Sequence, residues 1–105
     1  MEVNQEQLKE PIKRIVEAVH PLRIILFGSA AQGEVGPDSD VDILVVMPEG
    51  THHRHTAQYL YRTICGVTIP FDIVVATPGD LDKHRHNPGL IYKTILEEGR
   101  TLYAA

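Results

Sequence analysis

The residues with the most chemistry in them fall in one pattern: Gly28-Ser29, ten intervening residues, Asp40-Val41-Asp42, and Asp72 further along the chain. Side chains two apart on a strand share a face, so Asp40 and Asp42 project together while Val41 and Ile43 turn the other way. Asp72 interrupts the apolar run Phe71-Asp72-Ile73-Val74-Val75, where no polar alternation accounts for it. If the two strands are neighbours, three carboxylates converge. At a separation of about 5 Å and an effective dielectric near 20, each pair repels by roughly 3 kcal/mol. Such a cluster requires protons or cations to neutralise it. All-oxygen ligands select hard cations, Mg²⁺ or Mn²⁺ ahead of zinc, and magnesium keeps open positions for water and substrate phosphates. Ions bridged by these groups could stabilise the attacking and leaving oxygens of an in-line displacement.

Gly28-Ser29 supplies the complementary half. A glycine at a strand end lets backbone approach a ligand closely, and Ser29 is placed to open a short helix over 29–32. Free N–H groups at a helix start attract phosphate, and the Ser29 hydroxyl adds a donor. The pattern therefore predicts a nucleoside triphosphate with its β and γ phosphates at Gly28-Ser29 and its α-phosphorus at the metals. Taken singly, a glycine after a strand or an Asp-rich turn such as Pro37-Asp38-Ser39 is ordinary turn chemistry. Two rival motifs fail on the same residues. Asp38, Asp40, Asp42 and Glu49 fit four positions of a calcium loop, but Ile43 stands where that loop needs glycine. A phosphate-binding P-loop needs Lys after its last glycine, and Gly33 is followed by Glu34.

The elements that must position these groups can be read from spacing. Leu8, Ile12, Ile15, Val16 and Val19 predict a helix over 4–19, with Asn4 and Gln7 as a capping pair. Pro11 should kink that helix or mark its start, and His20-Pro21 ends it. Arg23–Phe27 is a strand, 33–39 a loop, and Asp40–Met47 a second strand with Val41, Ile43 and Val45 on one face. Thr51–Cys65 predicts a helix stopped by Gly66. Thr68–Ala76 is a third strand with Phe71, Ile73 and Val75 facing one way. Thr77-Pro78 reads as an N-cap followed by Pro at the first helical position, and Asn87-Pro88 repeats that start for a helix ending at Glu98-Gly99. Thr101–Tyr103 adds a last short strand. Interleaved strands and helices define an α/β (α+β) class, with strand directions open.

At 105 residues the chain is expected to form a single domain over 1–105. Ten Lys and Arg against fourteen Asp and Glu give a net charge of −4, the wrong sign for a protein that grips phosphate backbones. Nucleic acid is not expected as a direct partner. Cys65 is the lone cysteine, so neither an intrachain disulfide nor a cysteine-rich zinc framework can form. No apolar run reaches membrane-span length, and the acidic first twenty residues do not read as a signal peptide, so a cytoplasmic location is expected.

The pattern Gly28-Ser29, ten residues, Asp40-x-Asp42, with Asp72 as third carboxylate, resembles the signature of the DNA polymerase β-like nucleotidyltransferase superfamily. The short chain is similar to its minimal nucleotidyltransferases, as is the tail Asn87-Pro88-Gly89-Leu90-Ile91-Tyr92 with Glu98-Gly99-Arg100 and Leu102-Tyr103. The segment holding Ala30 and Gln32 departs from the family, which often carries basic residues there. The resemblance implies a small mixed β-sheet flanked by helices, and transfer of a nucleoside monophosphate, AMP from ATP, with pyrophosphate released. By carry-over, Asp40 and Asp42 would bind both metals, and Asp72 would bind the catalytic one and help deprotonate the incoming hydroxyl. Minimal members are often encoded with a helical HEPN-domain protein, and some are antitoxins that adenylylate a tyrosine of that partner. The alternative function is a non-catalytic antitoxin-like module that neutralises its partner by contact.

Two basic clusters, His52-His53-Arg54-His55 and Lys83-His84-Arg85-His86, read as solvated surface, with loose spacing for a metal site. Tyr59, Tyr61, Tyr92 and Tyr103 read as packing residues. A core this small has no evident means to hold a large acceptor, so specificity is expected from a protein partner or from homo- or hetero-oligomerisation.

Overall fold

The computed structural model describes residues 5–28, 41–64, 70–84 and 91–105. Ser29, Asp40, the short helix expected at 29–32, and the segments around Cys65-Gly66 and Asn87-Pro88 lie outside them. The elements are α1 (Gln5–Val19), β1 (Arg23–Phe27), β2 (Val41–Val46), α2 (His53–Thr63), β3 (Phe71–Ala76), α3 (Pro78–His84), α4 (Ile91–Glu98) and β4 (Arg100–Ala104). The class is α/β, with a mixed sheet flanked by helices, as expected.

Among the described residues the strands form one sheet in the order β3-β2-β1-β4. β2 runs antiparallel to β1 and parallel to β3, and β4 runs antiparallel to β1. A parallel neighbour requires a crossover connection, and α2 lies between β2 and β3 in the chain. Helices cover both faces. Leu8 and Ile15 of α1 and Leu60 of α2 pack with Ile24, Leu26, Val41, Ile43, Val45, Ile73 and Val75 on one side. Leu81 of α3 and Ile95 of α4 pack with Ile25, Phe27, Leu44, Val46 and Ala76 on the other. β2 is thus an interior strand covered on both sides, which is why Val-Asp-Ile-Leu-Val-Val carries apolar residues on both of its faces. Asp42 is its one charged residue.

Pro11 neither starts nor ends α1, which runs through it. An interior proline costs about 3 kcal/mol of helix stability. Leu8 before it and Ile15 after it are both buried, so each side of the proline is anchored in the core. His20 follows at φ 48, with its N–H bonded to the Val16 carbonyl at 2.9 Å, and Pro21 stops further winding.

α2 begins later than expected, because Thr51 belongs to a turn. Its hydroxyl and its N–H both donate to the Pro48 carbonyl, at 2.7 and 3.2 Å, and Gly50 holds the positive φ of +89 at the third position. His52 becomes the N-cap, its Nδ1 accepting the His55 N–H at 3.2 Å. Thr77 caps α3 as expected. The Asp80 N–H donates to Thr77 Oγ1 at 3.3 Å and the Thr77 N–H donates to Asp80 Oδ2 at 3.0 Å, a reciprocal capping box.

Candidate active site

β1 ends where β2 and β3 begin, so three strand termini meet at one end of the sheet. Asp42 is second in β2 and Asp72 second in β3, and they are register partners in the parallel pair. Across the antiparallel side, Asp42 faces Phe27, the last residue of β1. Neighbouring strands lie about 4.8 Å apart, so the two carboxylates project side by side from one face. That face is the one α4 covers, since Leu44 and Val46 follow Asp42 at even spacing into the α4 side of the core.

A cavity of about 320 Å³ opens at this point, near the lower end of the range for small-molecule sites. Its floor is Phe27, Gly28, Asp42 and Asp72, and its far wall is Thr94 and Glu98 of α4. Thr94 and Glu98 are four apart, hence on one face of their helix. Ile95 beside them is buried and seats that helix on the sheet.

Gly28 follows β1 with φ +72, a conformation that costs an L-residue about 1–2 kcal/mol. A Cβ at Gly28 would also land on Asp42 Oδ2. The glycine is therefore required twice: for the turn, and for the close approach of backbone to carboxylate.

Asp72 is exposed at the outer edge of the sheet, because β3 is an edge strand. Tyr61 of α2 reaches it there. The phenol oxygen accepts the Ile73 N–H at 2.9 Å and lies 3.4 Å from Asp72 Oδ1. The structure thus unites Gly28, Asp42 and Asp72, while Ser29 and Asp40 lie outside the described residues. Tyr61, Thr94 and Glu98 are neighbours that the sequence reading did not place at the site. The four-residue spacing of Thr94 and Glu98 was a visible signal; nothing local marks Tyr61, which needed the sheet order.

The donor set fits a hard cation. Asp42 and Asp72 offer carboxylate oxygen on one face, and Mg²⁺ is typically held by one or two carboxylates completed by water and substrate phosphate. Among the described residues no group of three or more His, Cys, Asp or Glu is arranged to hold a metal by itself.

The opposite end of β2 and β3 carries a separate polar cluster. His53 Nε2 lies 2.5 Å from Asp80 Oδ2, and Glu49 accepts the Gly79 N–H through Oε1. The hydrogen bond from His53, and next the Thr77 N–H, hold the Asp80 carboxyl below its ordinary range. Burial, and then the Asp80 charge, push the Tyr92 phenol upward. His52, His53 and His55 are exposed, as a solvated cluster should be, with the His52 and His55 rings stacked at 4.0 Å.

Three strand termini thus converge on a pair of carboxylates beside a glycine turn, in a mixed sheet flanked by helices. The profile of the nucleotidyltransferase domain family matches residues 6–102, and the chain belongs to that family. Similar folds recur among solved structures. A Sulfolobus solfataricus protein described as a nucleotidyltransferase superposes with a TM-score of 0.64 at 21% identity, covering 95% of this chain and 79% of that one. A toxin–antitoxin crystallised with AMP-PNP gives a TM-score of 0.57 at 20% identity, over 98% of this chain and 75% of that one. A mutant of the toxin–antitoxin MntA-HpeT gives 0.55 at 17% identity, with the same coverage. No curated protein matches the chain. Among the described residues no helix is long and apolar enough to cross a membrane.

Proposed function

We propose that the chain is a metal-dependent nucleotidyltransferase that moves a nucleoside monophosphate, AMP from ATP, onto a hydroxyl of a partner protein. The observation that carries this reading is the register pairing of Asp42 with Asp72 beside Gly28, at a cavity, in a chain of the nucleotidyltransferase family. In this reading Asp40, Asp42 and Asp72 hold Mg²⁺ or Mn²⁺, and Gly28 and Ser29 receive the β and γ phosphates on backbone N–H groups and the Ser29 hydroxyl. When bound, the divalent ions neutralise charge on the α-phosphate and the departing pyrophosphate. Asp72, at the exposed edge, takes the proton of the incoming hydroxyl. The acceptor oxygen forms a bond to the α-phosphorus, the bond to the bridging oxygen of pyrophosphate breaks, and pyrophosphate departs.

The acceptor in this proposal is a tyrosine of a HEPN-type toxin partner. Two of the similar folds are toxin–antitoxin components, one of them crystallised with AMP-PNP, which supports both a protein partner and a nucleotide. The test is incorporation of label into a co-expressed partner from α-labelled but not γ-labelled ATP, lost in Asp42→Asn. Labelling that persists in Asp42→Asn overturns the catalytic reading. If Asp42→Asn still suppresses the partner's toxicity without labelling it, the chain is a contact antitoxin.

A further inference from the structure

The Tyr61 phenol has one proton to give, and its two neighbours settle where that proton goes. Ile73 N–H can only donate, so the phenol oxygen accepts from it at 2.9 Å. An ionised carboxylate can only accept, so the phenol proton points to Asp72 Oδ1 at 3.4 Å. A directed chain therefore runs from the β3 backbone, through the α2 side chain, to the carboxylate.

Each link has a structural cause. β3 is an edge strand, and an unpaired edge N–H otherwise bonds to solvent or another chain. Leu60 in α2 and Ile64 at its C-cap are buried at 0% and 4% exposure, which seats the helix against the sheet. Tyr61 itself is 44% exposed, so burial of its ring does not explain its position. Its polar atom is the part with defined partners.

From this geometry we infer that Tyr61 is a positioning residue that holds the Asp72 carboxylate in the orientation required for metal–nucleotide uptake. An exposed aspartate otherwise exchanges among staggered rotamers, and a donor anchored to the backbone of the next residue selects one. Carboxylates that ligate metals are commonly held by outer hydrogen-bond donors, and removal of such a donor weakens metal affinity about tenfold or more. The inference rests on the proposed reaction for the role of Asp72, and adds the residue that orients it.

The test is a double-mutant cycle read by calorimetry, with Mg²⁺ and a non-hydrolysable ATP analogue, on the full chain. Four forms are compared: wild type, Tyr61→Phe, Asp72→Ala and the double variant. The expected result is about tenfold weaker uptake in Tyr61→Phe, weaker uptake in Asp72→Ala, and no further loss in the double variant. If Tyr61→Phe binds like wild type, or costs as much in the Asp72→Ala background as in the wild type, the positioning role is overturned while the proposed reaction stands. If the wild type takes up no magnesium–nucleotide, or Asp72→Ala binds like wild type, the Asp72 assignment fails and the inference falls with it. A second measurement needs no variant: three-bond couplings across Cα–Cβ of Asp72 in the metal-free chain should report one dominant rotamer. Rotamer-averaged couplings there overturn the inference.

Discussion

Asp42 and Asp72 occupy the same rung of the parallel β2–β3 pair, one on an interior strand and the other on the edge. The pairing leaves one carboxylate part-buried on an interior strand and the other exposed at the edge of the sheet. Two like charges side by side also work against the fold, and that opposition can be measured.

Asp72→Asn should raise the stability of the metal-free chain while abolishing transfer. Screening at the exposed edge reduces the repulsion to about 0.5–1 kcal/mol. Thermal melts in EDTA should show a gain of a few degrees, together with a loss of at least 100-fold in label transfer. A lower melting temperature in EDTA would argue against strain between the two carboxylates.

Magnesium and nucleotide should stabilise the wild type together and not separately. A ligand at 100 times its dissociation constant adds about 2.7 kcal/mol to stability. Melting scans with ATP alone, Mg²⁺ alone and both should show the large shift with both, reversed by EDTA.

Gly28→Ala should be damaging beyond the loss of chain flexibility. The left-handed backbone costs about 1–2 kcal/mol for a non-glycine residue, and the new methyl meets Asp42 Oδ2. Denaturant titration should show a loss of about 2 kcal/mol or more, and calorimetry should show nucleotide uptake reduced even where the variant is fully folded.

Acid stability should register Asp80. Its carboxyl titrates below the ordinary 3.8 in the folded chain, chiefly through the His53 hydrogen bond. A group with a depressed folded pKa contributes stability that is complete above its unfolded value and lost as pH falls through the folded one. The stability difference between wild type and Asp80→Asn should therefore shrink as pH drops below 3.8. Thr77→Ala, which removes the other half of the capping box, should cost about 1 kcal/mol by denaturant titration.

Local signals made much of this legible. Alternation in Val41-Ile43-Val45 and Phe71-Ile73-Val75 named the α1–α2 face of the sheet correctly, because a strand has a strict two-residue period. Thr77-Pro78 named a helix start, because capping depends on residues three apart. The start of α2 was misjudged by two residues: Thr51 serves a turn as readily as a cap, and the choice fell to Gly50 and the Pro48 carbonyl. Of the two outcomes expected for Pro11, the structure excludes a helix start: the proline lies inside α1, with buried neighbours anchoring both sides of it.

What the residues determined by themselves was the inventory: which side chains carry charge and which strand faces are apolar. Pairing across the sheet lay beyond them, because it joins segments distant in the chain through backbone hydrogen bonds that every residue type offers alike. Only the tertiary structure put β3 parallel to β2, set Asp72 level with Asp42, and left β3 at an edge where Tyr61 could reach it.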